Sequence, residues 1–174
     1  MLIELSKLKG LPVGVLEESR KAGTVSKVIF DHSQAKIIGF LIKTNSFWGL
    51  QKVVSLSDVI VIDESGLVIN SSEDILEKDE VVRVGALLKK NAKLVGLRVC
   101  NKEERFLGFL NDAVIETQTG NLVRIYAGFL WRKFIFSQKQ IIKLDEKRIV
   151  VDTESKVKDT AKAVARAVEP AQTW

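Results

Sequence analysis

Short apolar runs punctuated by glycine and polar turn residues dominate the chain, and no long helical period appears before its end. That spacing predicts an all-β protein. Strands are expected near 11–16, 24–31, 36–43, 51–63 (bent or interrupted near Ser55–Ser57) and 67–70. A second set is expected near 97–101, 108–116, 121–128, 133–145 and 148–152. The second strand of each set breaks strict alternation. Val25 is followed two polar residues later by Val28-Ile29-Phe30, and Leu110 likewise by Ala113-Val114-Ile115. A bulge at Ser26-Lys27 and another at Asn111-Asp112 would absorb the change of phase and curl each sheet. Polar hairpins at Asp31–Lys36 and Glu116–Asn121 join the second and third strands, and Gly120-Asn121 supplies residues tolerant of positive φ.

The two sets are copies. Lys7-Leu8-Lys9-Gly10-Leu11-Pro12-Val13 returns as Lys93-Leu94-Val95-Gly96-Leu97-Arg98-Val99. Gly23-Thr24-Val25-Ser26-Lys27-Val28-Ile29-Phe30-Asp31 returns as Gly108-Phe109-Leu110-Asn111-Asp112-Ala113-Val114-Ile115-Glu116, and Val59–Asp63 is answered by Ile141–Asp145. The offset drifts from about 86 to about 82 residues, the signature of loops that changed length while strands kept register. A repeat of this length is a small domain, so two modules are expected, at 1–78 and 79–153, followed by a tail at 154–174. Curled short strands with an apolar inner face suggest that each module is a small closed or partly closed barrel. Between them, Ser71–Glu77 reads as one capped helical turn. In the tail, Val157, Ala161, Val164 and Val168 lie on one stripe of an amphipathic helix that Pro170 ends.

Taken together, an opening Gly-Leu-x-Val, then Gly-x-Val-x-x-Val-Ile-Phe-Asp, a polar hairpin, an aliphatic strand and a late Val-Ile-x-Ile-Asp resemble the PRC-barrel. This is the β-barrel shared by the photosynthetic reaction-centre H subunit and the ribosome maturation factor. The resemblance covers nearly all of residues 1–152, twice, and implies two tandem PRC-type barrels followed by the helix. It also implies an adaptor-like protein that docks on a larger assembly, with no shared catalytic residues. The family often carries an acid at the position of Asp112; the first copy has Lys27 there.

Composition adds little to this picture. Hydrophobic residues at 46% and charged residues at 28% describe an ordinary globular chain. The net charge of +5 is uneven: residues 1–84 carry 10 basic against 12 acidic side chains, and residues 85–174 carry 17 against 10. A single cysteine, Cys100, precludes an internal disulfide or a cysteine-based zinc site and suits a reducing, cytoplasmic setting. The first residues do not read as a signal peptide, and no apolar run is long enough for a transmembrane segment.

Candidate chemistry is sparse. His32, the one histidine, falls in a polar turn and reads as solvated, and Cys100 reads as a structural thiol on a strand. No phosphate-binding glycine loop, nucleophile elbow or zinc spacing occurs, so neither an enzyme nor a cofactor or metal is expected. The recognition candidates are large side chains at matching hairpin tips: Phe47 and Trp48 in Ser46–Leu50, and Leu130 and Trp131 in Gly128–Arg132. Such residues cap a barrel, pack between modules, or anchor a protein partner or a second copy. The alternative is a ribosome- or RNA-associated factor in which Arg124, Arg132 and Lys133 meet phosphates beside the tryptophan.

Overall fold

A computed structural model describes residues 1–44, 51–77 and 93–154. The helix expected in the tail, and the Phe47/Trp48 hairpin, lie outside the described residues.

The described chain is mostly β, in two seven-stranded sheets, one of which curls into a half-barrel. The first runs in the order β6 (Val59–Ile62), β7 (Leu67–Ile69), β2 (Pro12–Val15), β3 (Arg20–Asp31), β4 (Lys36–Thr44), β5 (Gln51–Ser55) and β8 (Ile75–Leu76). The second runs β13 (Ile141–Leu144), β14 (Arg148–Val151), β9 (Arg98–Asn101), β10 (Phe106–Glu116), β11 (Leu122–Phe129) and β12 (Arg132–Ser137). From β6 to β5 and from β13 to β12 the order is the same, strand for strand. Each has one parallel pair at the same place, β2 with β7 and β9 with β14. The long expected strands at 51–63 and 133–145 each break at a three-residue 3₁₀ turn, Leu56–Asp58 and Gln138–Gln140. A third such turn, Ser72–Asp74, carries a capping box closed by Ser71 and Asp74.

Both expected bulges are present, since pairing skips Ser26 between Val25 and Lys27, and Asn111 between Leu110 and Asp112. Ahead of each, a left-handed glycine (Gly10, φ 91°; Gly96, φ 92°) turns the chain onto the sheet. Both amides then donate over 2.8 Å, to Val25 O and Leu110 O respectively. The drifting offset now has an address. The pairs Lys43–Gln51 and Gly128–Lys133 enclose connections that differ by three residues, and the pairs Val13–Gly23 and Val99–Gly108 enclose ones that differ by one, so most of the shortening falls across the former.

Periodicity assigns no element to the opening residues. They form β1 (Leu2–Glu4), the seventh strand of the second sheet, which pairs with β10, and a one-turn helix α1 (Leu5–Leu8) packed against β10 and β3. Glu4 gives α1 no side-chain cap; Asp112 does so from the second module, accepting from Ser6 N at 3.1 Å and Ser6 Oγ at 2.5 Å.

The modules meet through their β3–β4 and β10–β11 hairpins. Lys36 and Asn121 form an isolated antiparallel bridge, flanked by Ile37 N to Gly120 O at 2.8 Å and Leu122 N to Ala35 O at 2.9 Å. Ala35, Lys36 and Ile37 are the repeat equivalents of Gly120, Asn121 and Leu122, so the two hydrogen bonds exchange under a local two-fold axis. Gly120 (φ 74°) is needed there twice over, because a Cβ would also lie 2.4 Å from Ile37 O. A single apolar cluster spans both modules, from Val13, Phe40 and Leu67 through Ile3, Leu8, Ile37 and Ile115 to Val99, Ile125 and Ile149. No helix among the described residues is long and apolar enough to cross a membrane.

His32 departs from the expectation of a solvated turn residue. It is 6% exposed, with its ring edge-on to Phe30 at 5.3 Å. Neither ring nitrogen has a partner at good hydrogen-bond geometry, although the Lys93 backbone approaches. Burial is the largest influence and holds its pKa below the ordinary 6.5, against the opposing pull of Glu146, the Lys93 backbone, Asp31 and Asp145. The hairpin is polar in sequence, but docking of one module on the other removes it from water.

Candidate functional site

The β11–β12 connection is a two-residue turn, Leu130-Trp131, between the paired residues Phe129 and Arg132. Leu130 takes a left-handed φ of 55°, the conformation a tight hairpin needs and a leucine rarely adopts. The turn puts both side chains outward: Leu130 is 71% exposed and Trp131 86%. They neither pack between the modules nor fold back over the sheet.

Below the tip lies an aromatic cluster that periodicity did not single out. Phe106 meets Phe109 at 5.1 Å and Phe129 at 5.5 Å, and Phe109 meets Phe129 at 6.2 Å, all edge to face. The Arg98 guanidinium stands 5.1 Å over the Phe106 ring. Phe109 and Phe129 keep 42% and 47% of their surface in water. Sheet pairing builds this group, since Phe109 lies opposite Arg98 on β9 and opposite Gly128 on β11. A Cβ at position 128 would sit 3.2 Å from the Asn111 side chain and 2.6 Å from Arg132 O, so the strand stays bare beside the ring. The available sequence signal was the run Phe106-Leu107-Gly108-Phe109-Leu110, apolar throughout where one face of a two-faced strand should be polar. The repeat gives a second signal, because Thr24 stands where copy two has Phe109.

The basic candidates are not brought together. Arg124 pairs with Ser137 and Lys133 with Gly128, four residues apart on adjacent strands, about 13 Å at strand rise. Arg132 neighbours Lys133 on β12, and alternation turns it to the opposite face. All three are exposed. Cys100 is buried on β9 beside Val150 of β14. Among the described residues no group of three or more His, Cys, Asp or Glu side chains could hold a metal ion.

Neither a protein-family model nor a curated protein matches the chain.

Proposed function

We propose that the protein is a non-enzymatic adaptor built from two tandem PRC-type barrels, and that it docks a protein partner through the β11–β12 end of the second module. One observation carries the reading. A tryptophan 86% in water and a leucine 71% in water crown a cluster of three phenylalanines. Water is a poor neighbour for so large an apolar patch, and aromatic anchors dominate binding energy when a partner covers them. Two barrels in one chain, in a reducing cytoplasmic setting, would suit an accessory subunit of a larger assembly.

The test is the double variant Leu130→Ala/Trp131→Ala in the full chain, used as bait for affinity purification and examined by sedimentation. Both residues are solvated, so stability should change by no more than about 0.5 kcal/mol. Specific co-purifying proteins, or self-association, should disappear. An unchanged set of partners and an unchanged oligomeric state would refute the docking role. The ribosome- or RNA-associated alternative requires Arg124, Arg132 and Lys133 to act on one ligand, and their separation over two faces speaks against it. RNA binding that falls steeply with salt and is lost in Arg132→Ala/Lys133→Ala would reinstate it.

A further inference from the structure

The two sheets differ at one edge. In the first, β8 adds to β5 in antiparallel register, with Leu76 opposite Val53 and Ile75 opposite Val54. The repeat-equivalent strand of the second sheet is β12, where Ile135 and Phe136 take the places of Val53 and Val54. Among the described residues β12 pairs with β11 alone. The consequence shows on the outer face, where Val53 is fully buried and Ile135 is half exposed. An edge of this kind presents backbone groups that β11 does not pair, beside apolar side chains, and a further strand satisfies both.

The repeat and the path of the chain indicate which strand that is. β7 ends at Ile69 and β8 begins six residues later, at Ile75. β14 ends at Val151, and six residues bring the chain to Val157, which is related to Ile75 by the same offset that relates Ile135 to Val53. The chain leaving β14 is tied to the end of β12. Asp152 N donates to Gln140 O at 2.7 Å, Gln140 Nε2 donates to Asp152 O at 3.4 Å, and Gln140 closes the 3₁₀ turn that follows β12. The side chains also suit the two faces. Ile75 packs on the core, and cross-strand pairing puts Leu76 on the outer face with Val53. At the matching places stand Val157, which is apolar, and Lys158, whose stem can cover Ile135 while its ammonium stays in water.

We propose that residues 156–158, which lie outside the described chain, add to the open edge of β12 as an eighth strand of the second sheet. The strand is antiparallel, with Val157 opposite Phe136 and Lys158 opposite Ile135. The pairing takes Val157 out of the expected helical stripe and leaves Ala161, Val164 and Val168 to it. It also closes the edge that starts beside the Leu130-Trp131 tip, so that a partner there meets side chains and not an open strand. The pairing does not depend on the docking role.

The experiment is amide hydrogen exchange by NMR on the full chain, comparing the parent with Val157→Pro/Lys158→Pro. Ladder hydrogen bonds alternate along a strand, so one of these two amides faces β12, and the double substitution removes it whichever it is. The β12 amides that point away from β11 should exchange about tenfold faster in the variant, at every protein concentration, with those of β5 unchanged. A second pair of variants decides alone if the proline variant does not fold. On mild oxidation Ile135→Cys/Lys158→Cys should close an intramolecular disulfide about tenfold faster than Ile135→Cys/Asp159→Cys, in which the second thiol points to the opposite face. Leu130→Ala/Trp131→Ala should leave the β12 protection intact, so the docking role and this pairing fail separately. Equal exchange in parent and proline variant, or equal rates of disulfide closure, would overturn the proposal. So would protection that appears only as concentration rises, together with the sedimentation mass of a dimer, since a second copy would then hold the edge.

Discussion

The two modules share a skeleton and differ in what they hang on it. Arg98, Phe106, Phe109 and Phe129 of the second copy correspond to Pro12, Lys21, Thr24 and Thr44 of the first. The outer face differs as well. Ile29, Leu41 and Val53 form a buried satellite cluster on the first sheet, whereas the matching Val114, Tyr126 and Ile135 end at an isoleucine 47% exposed. The features common to both copies are those that direct the backbone: the left-handed glycine, the bulge, the two-fold hairpin bridge and the parallel strand pair. Features unique to one copy include the aromatic end of the second and, in the first, the buried His32 and the Ile29, Leu41 and Val53 cluster. The same strand order thus recurs in both sheets, and the proposed docking role lies on an end that only the second copy makes aromatic.

The sharpest way to break the comparison is to ask whether the copies are separate folding units. Phe40 is fully buried in a cluster that continues into the second module. Phe40→Ala should cost about 3–5 kcal/mol, and urea unfolding followed by tryptophan fluorescence and by far-UV circular dichroism should give one coincident transition. Two transitions, only one of them shifted, would make the modules independent.

A smaller effect tests the equivalence of the backbone. Gly10→Ala and Gly96→Ala each place a Cβ where nothing lies within 4 Å, so the only penalty is a left-handed φ. Each should destabilise by about 1–2 kcal/mol, and by the same amount in thermal melts. Markedly unequal losses would show that the turns are equivalent in shape and not in role.

The smallest effect exposes an asymmetry. His32 has no counterpart in the β10–β11 hairpin, which carries Thr117 at the matching place. Its depressed pKa means that the unfolded chain binds the proton more tightly than the folded one. Stability contributed by the neutral imidazole is therefore full above about pH 6.5 and is lost as pH falls toward the folded value. The groups facing it are Asp31 on its own hairpin, the Lys93 backbone, and Asp145 and Glu146 on the β13–β14 turn. His32→Leu should flatten the pH dependence of the melting temperature between pH 7 and 5. The further loss below about pH 4.5 should remain, since Thr119 and the chain amides hold Glu116 below its ordinary value, and the Lys147 amide does so for Asp145. An unchanged slope between pH 7 and 5 would show that His32 is not the group that titrates there.

Much of this arrangement was written in local pattern. Strand positions, the phase break at Ser26 and Asn111, the turn glycines and the interruption after Ser55 depend on near-neighbour sterics and on which face of a strand meets water. Alternation and glycine placement report those directly. The hairpin tip at Leu130-Trp131 was legible for the same reason, as two bulky residues where only a turn fits, whereas its exposure was not. What stayed hidden depends on partners far away in sequence. Nothing in Leu2–Glu4 indicates that it pairs with β10 across more than a hundred residues, or that Asp112 caps α1. His32 reads as a solvated turn residue until a second hairpin closes over it. Phe106, Phe109, Phe129 and Arg98 become one cluster only when three strands lie in register. Local spacing decided which segments are strands and that there are two copies of them. The docking of one copy on the other decided what is buried, capped or left open, because those outcomes arise from contacts that no stretch of chain makes with itself.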